Sequence, residues 1–268
     1  MIQLSELLIR FEEVWPSSHA EDWDRVGLSV GSKHLEINKI LVAVDLTEEV
    51  ANEAIRLGAN LIITHHPLLL KPIGEVTEEQ LKGQLVAKLI RNSIALFSAH
   101  TNADVQADGA STLMAKAFGL AEFKPIIETA GGFGHGVIGT LAKPIRLEDF
   151  AKVVGNELPR TARKIVFAGR ADALIQKVAI CSGAGDSFLP QVLASDADVF
   201  VTSDLRHHPA LDAISNPREK GPLALIDVSH WAAESLWTKR ATELLNQIEG
   251  VEVFTSEAKT DPWTQEVN

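Results

Sequence analysis

Between residues 39 and 104 the chain alternates short apolar runs with capped amphipathic ones, a rhythm that few folds accommodate. KILVAVDL (39–46) is β-branched and apolar, as a strand buried on both faces must be. TEEVANEAIRLGA (47–59) follows, with Thr47 to cap a helix, Glu48 and Glu49 in its first turn, and Gly58 to close it. NLIITHHP (60–67) reads as a second buried strand and EEQLKGQLVAKLIRN (78–92) as a second helix. SIALFSAHTNAD (93–104) is a third strand with a polar exit, and GASTLMAKAFGL (109–120) is a helix closed by Gly119. Such alternation predicts an α/β fold with largely parallel strands.

The second half has the same layout. KVAICSGAGDSFLPQVLASDADVFVTSD (177–204) runs strand, polar turn, helix, strand, polar end, like residues 39–66. GPLALIDVSHWAAE (221–234) resembles NSIALFSAHTNAD (92–104): each is an apolar strand running into His, three residues, then an acid. In between, 135–145 and 164–169 read as strands and 146–158 as a helix. An internal duplication is expected, giving two similar α/β lobes over 1–125 and 126–268 with a site between them.

In open α/β sheets, ligands bind beyond the carboxyl ends of the strands. His65 and His66 end one expected strand, His100 and Asp104 follow another, and His230 and Glu234 follow a third. Imidazole and carboxylate together suit Zn, Mn, Fe or Co better than Mg or Ca. Neighbours on a regular strand point to opposite faces, so His65 and His66 serve two different ions only where the chain turns. Pro67 biases His66 to an extended backbone and keeps a helix from starting there. His230 and Glu234, four apart at the start of a helical stretch, share one helix face. The expected ligands are His65, His66, Asp104, His230 and Glu234, holding two divalent ions that the two carboxylates bridge. His100 is a further ligand or a partner that holds one.

The rest of the chain narrows the classes. A net charge of −11 without a Lys/Arg cluster argues against nucleic acid as partner. The single cysteine, Cys181, fits a reducing cytoplasm and an inert core thiol. MIQLSELLIRFEEVWP (1–16) reads as an amphipathic helix ended by Pro16, and no apolar run reaches the roughly 18 residues of a membrane span.

DWDRVGLSVG (22–31), LIITHHPLL (61–69), SAHTNADVQADGAS (98–111), DVFVTSDLRHHPALDA (198–213) and LIDVSHWAAES (225–235) resemble the NIF3-like family of dinuclear-metal proteins, also labelled GTP cyclohydrolase type 2 homologs. These stretches cover nearly the whole chain in order. The resemblance implies two α/β lobes with the metal pair between them, a homohexamer, and ligands at the same five positions. Arg25 stands where the family usually has Asn. The family label implies a metal-dependent hydrolase opening the ring of GTP or a similar nucleotide, and the alternative is a metal-braced interaction or regulatory protein.

Some features stay outside that set. GHGVIG (134–139) has the glycine spacing of a dinucleotide loop but runs into a strand-like segment, so it reads as turn chemistry. In SGAGDS (182–187), Ser182, Gly183 and Gly185 are candidates for an anion cradle, with a tight βα turn as the simpler reading. His208, beside His207, is a candidate for proton transfer, and Arg25 beside Asp24 for substrate contact.

Overall fold

The computed structural model describes residues 1–129 and 134–267. Along the chain the first elements are β1 (Ile2–Gln3), α1 (Leu4–Val14), β2 (Gly27–Val30), β3 (Glu36–Ile37) and β4 (Lys39–Ala43). Then come α2 (Glu48–Leu57), β5 (Leu61–Thr64), α3 (Leu81–Arg91), β6 (Ala95–Ser98), α4 (Thr101–Asp104) and α5 (Ala110–Ala117). The middle holds β7 (Leu120–Lys124), β8 (Ile127–Glu128), β9 (Gly134–His135), β10 (Val137–Arg146) and α6 (Leu147–Glu157). The last are β11 (Val166–Ala168), β12 (Leu174–Ala184), α7 (Leu189–Ala194), β13 (Val199–Ser203), α8 (His207–Ser215), β14 (Ala224–Val228), α9 (His230–Leu245) and β15 (Glu252–Thr255). Among the described residues no helix is long and apolar enough to cross a membrane.

The chain forms two compact units. The first comprises Met1–Ala103 and Trp237–Thr260, and its main sheet has the order β15-β4-β5-β6-β2. The strands from β15 to β6 are parallel, and β2 closes the edge antiparallel. Leu61–Thr64 is buried at every position, which is why the segment is apolar without alternation. Helix α2 begins where Val50 N–H donates to the Thr47 hydroxyl (3.3 Å) and stops at Gly58, whose φ of +68° suits a residue without Cβ. Its Val50, Ala51 and Ala54 pack on Leu41, Ile62 and Leu96 of the sheet. Burying each large aliphatic side chain contributes roughly 1.5–3 kcal/mol.

The second unit runs from Asp104 to Leu236, with the chain from Asp261 onward. Its sheet has the order β11-β14-β13-β12-β10-β7. Strands β12, β13 and β14 are parallel, and β10, β7 and β11 join antiparallel. The ladder between β10 and β12 shifts register between Thr140 and Ile145, where Pro144 has no N–H to give. Three neighbouring parallel strands in chain order thus occur in each unit, β4-β5-β6 and β12-β13-β14. The fold is mixed α/β with a largely parallel centre, as the alternation predicts. Leu120, read above as the end of a helix, begins the edge strand β7. The segment 134–139 leads into β10 rather than into a helix: Gly134 lies in β9, Gly136 turns the chain with φ +60°, and Gly139 lies in β10.

Candidate metal centre

In the first unit the parallel ladder continues one step beyond β5. His65 N–H donates to Ala43 O (3.1 Å) and His66 N–H to Val44 O (2.9 Å). The Thr64 hydroxyl donates to His66 O (2.8 Å), which turns the chain at the strand end. Both imidazoles therefore leave the sheet at its carboxyl edge. His100 arrives from the next strand, just after β6. The ligating atoms of His65, His66 and His100 lie within 4.8 Å of one another.

Each ring is fixed from behind. His65 Nδ1 faces Ala99 O (2.9 Å), His66 Nδ1 faces Asp45 Oδ1 (2.7 Å) and His100 Nδ1 faces Asp24 Oδ1 (2.9 Å). These oxygens only accept, so Nδ1 carries the proton and Nε2 is left as the donor nitrogen for a cation. Ligating histidines are held in this way, by a carboxylate or carbonyl on the far nitrogen. The holders are themselves held. Asp45 accepts from the Thr260 hydroxyl, and Asp24 accepts from Thr101 N–H (3.0 Å), the Thr101 hydroxyl and Arg25 N–H (2.7 Å). Burial alone would raise the Asp24 carboxyl, but His100 and Thr101 hold it well below the usual range. His65 is fully buried with its ring against Trp237, centroids 4.9 Å apart.

The second unit presents its own donors. β14 ends at Val228, and Ser229 caps α9 by accepting from Ala232 N–H (3.2 Å). His230 and Glu234 share one face of that helix, with His230 Nε2 3.0 Å from Glu234 Oε1. His230 Nδ1 lies 2.7 Å from Asp204 Oδ2. An imidazole between two carboxylates is a seat for one positive charge, a proton or a metal cation. The hydrogen bond from His230 holds the Asp204 carboxyl below its ordinary value, with Arg163 adding to it. Asp204 follows β13 with φ +55°, a left-handed turn that aims its side chain at His230. Glu234 is 2% exposed and Asp104 is half-buried at the end of α4. Burial pushes the Cys181 thiol up to about 12, and the charges of Asp104 and Glu234 push the same way. Cys181 is buried and un-ionised, as a core residue should be.

A donor set of imidazoles held at Nδ1 and buried carboxylates fits a borderline-soft transition metal. Gly183 supports that fit. A Cβ there would stand 3.1 Å from Glu234 Oε1 and 3.6 Å from His230 Nε2, so the glycine leaves the room these two donors occupy. Gly185 serves packing: a Cβ there would meet the Thr202 hydroxyl at 2.1 Å and Phe200 at 2.9 Å. Ser182 N–H donates to the Ser111 hydroxyl (3.0 Å) and Gly185 N–H to Ser203 O (3.3 Å), so these two donors are spent inside the fold. Gly185→Ala is accordingly expected to lower stability by about 3 kcal/mol in urea unfolding. A loss below about 1 kcal/mol would show that the loop relaxes around the methyl group.

His208 lies exposed in the first turn of α8, its ring edge-on to His207 with centroids 5.1 Å apart. Arg25 is exposed and its guanidinium donates to Asp24 O (2.7 Å). The sequence pattern singles out neither Asp45 nor Asp204 as a holder of a histidine. The signal for both was present: each ends a parallel strand beside a histidine-bearing one, and an ordered imidazole needs an acceptor behind it.

The sequence profile of the DUF34/NIF3 family (NGG1p interacting factor 3) matches residues 2–262. A Streptomyces coelicolor protein named GTP cyclohydrolase 1 type 2 homolog is 39% identical, over 100% of this chain and 95% of its own length. The crystal structure of Staphylococcus aureus protein SA1388 superposes with a TM-score of 0.87 at 30% identity, covering 99% of each chain. A Bacillus cereus protein related to NIF3 gives a TM-score of 0.84 at 25% identity, over 97% of this chain and 98% of its own. Fold and sequence agree over nearly the whole length, and the chain belongs to the DUF34/NIF3 family.

Proposed function

We propose that the chain holds a pair of divalent transition-metal ions, Zn, Mn, Fe or Co, and hydrolyses a nucleotide-type substrate. His65, His66, Asp104, His230 and Glu234 are the ligands, and His100 joins or steadies the set. One observation carries this reading: four imidazoles, His65, His66, His100 and His230, each have Nδ1 against an oxygen acceptor. Any buried histidine needs a partner, but four that all give Nδ1 to the tether, and so keep the same nitrogen for a cation, follow the pattern of ligating imidazoles.

When bound, two such ions supply Lewis acidity and a source of hydroxide near neutral pH. The protein holds the donors in place through Asp45, Asp24 and Asp204. Trp237 walls His65 off from water. His208, exposed at the start of α8, is the group for proton exchange with solvent. The name shared by the relatives supports GTP as the first nucleotide to try. The same family resemblance supports a cytoplasmic homohexamer, for which light scattering should return six times the chain mass.

The test is to strip the protein with chelator, reload it with Mn, Zn or Fe(II), count ions by elemental analysis, and assay GTP with a panel of nucleotides and phosphoesters. Two ions per chain and turnover only in a reloaded form are expected. Two ions without turnover on any compound would leave a metal-braced binding protein. Fewer than two would remove the pair.

A further inference from the structure

Asp24 is buried, yet the residue before it is not: the Trp23 indole is 55% exposed. Single apolar side chains at a surface are ordinary, and a loose loop would let this one fold away. The loop here is pinned. Asp24 N–H donates to Glu21 O (2.9 Å), Glu21 N–H donates to the Thr101 hydroxyl (3.0 Å), and Thr101 N–H donates to Asp24 Oδ2 (3.0 Å). The backbone on both sides of Trp23 is thus fixed by a closed set of hydrogen bonds. It stands at 79° to the His100 ring, centroids 5.9 Å apart, beside the histidine cluster of the same unit. Arg25, also exposed, is two residues on, its guanidinium fixed by Asp24 O (2.7 Å).

A rigid aromatic face costs little entropy when a flat ring settles on it, and every nucleobase has such a ring. The neighbouring guanidinium suits the anionic groups a nucleotide carries. We propose that Trp23 is a stacking platform for the base of a nucleotide-type ligand at the histidine cluster, with Arg25 as the contact for its phosphate. The inference rests on the nucleotide reading above and names the residues that recognise the base. Stacking tolerates any base, so Trp23 confers a preference for flat heteroaromatic ligands over plain phosphoesters.

Calorimetric titration of the full chain, metal-stripped and Mn-loaded, with GTP, guanosine and inorganic triphosphate tests this. Trp23→Ala should weaken guanosine and GTP by on the order of tenfold or more, Trp23→Phe should restore most of the loss, and triphosphate should bind all three proteins alike. Guanosine should also quench tryptophan fluorescence in the wild type. The proposal is overturned if the wild type does not bind guanosine, or if Trp23→Ala binds it as well as the wild type. It is overturned equally if Trp23→Ala alters only self-association, which would make the indole a subunit contact. Failure of the hydrolase reading is separable. A protein without turnover whose guanosine binding depends on Trp23 keeps the platform and loses the reaction, whereas turnover with an unchanged KM in Trp23→Ala does the reverse.

Discussion

Glu234→Gln should abolish hydrolytic turnover and weaken metal binding by more than about 100-fold, while the metal-free chain still folds. Changing even the groups that hold a ligand costs about 10–100-fold in affinity, so losing a buried carboxylate ligand costs more. The substitution keeps shape and volume around Gly183, where added bulk has little room. It removes a negative charge from a buried position that, with Asp104, already raises the Cys181 thiol. Without metal, His230, 3.0 Å away, is the neighbour that offsets that charge. The wild type should therefore gain thermal stability on adding Mn or Zn, and the variant should gain much less. Melting curves with and without metal, together with ions counted per chain, read both effects. A Gln variant that still carries two ions would remove Glu234 from the ligand set.

Asp24→Ala is expected to lower the unfolding free energy by about 4 kcal/mol. The carboxylate takes hydrogen bonds from His100 Nδ1, Thr101 N–H, the Thr101 hydroxyl and Arg25 N–H, and its removal leaves these donors facing apolar space. Asp24→Asn should fall between, since an amide oxygen accepts but its nitrogen does not. The pH dependence has a definite sign. Folding lowers the Asp24 pKa, so its contribution is fully present above the unfolded value of roughly 4 and is lost as pH falls toward the folded value. The gap between wild type and Asp24→Ala in urea unfolding should be flat from pH 5 to 8 and shrink below about pH 4. A gap that is already closing at neutral pH would assign the effect to another group. His100 loses its tether in the same variant, so metal affinity should drop by about 10–100-fold.

The elements with local signals were legible in the sequence. Helix α2 carries its start in Thr47 and its stop in Gly58, and both act as the residues dictate. β4 and β5 are short, apolar and bounded by polar residues, and burial on both faces explains the run. The edge strand β7 was not legible. LAEFK follows a helix-closing glycine and has two exposed residues in mid-strand, so only its pairing with β10 defines it. The donor residues were visible because strand ends in a parallel sheet collect at one edge. Their holders were harder to see, since Asp45 meets His66 from a different strand and Asp24 meets His100 from a loop 76 residues away. Local pattern has no access to pairs of that separation. Gly183, near the end of β12, and Gly185, just after it, read as anion-binding candidates because a glycine-rich turn looks the same whether it makes room for a ligand or for a neighbouring side chain.

The outer parallel strand of the first unit has a consequence for the order in which the protein is made. β15 pairs with β4, Val253 opposite Ile40, although about 200 residues separate them in the chain. At a synthesis rate of roughly 5–20 residues per second, β4 waits on the order of 10–40 seconds for its partner. Residues 104–236 of the second unit, by contrast, are contiguous, and its six-stranded sheet is complete once β14 has been made. The nascent chain therefore carries the later unit's finished sheet ahead of the earlier unit's unfinished one. In that interval β4 has an open edge of unpaired N–H and C=O groups, the kind of surface that chaperones cover and neighbouring chains capture.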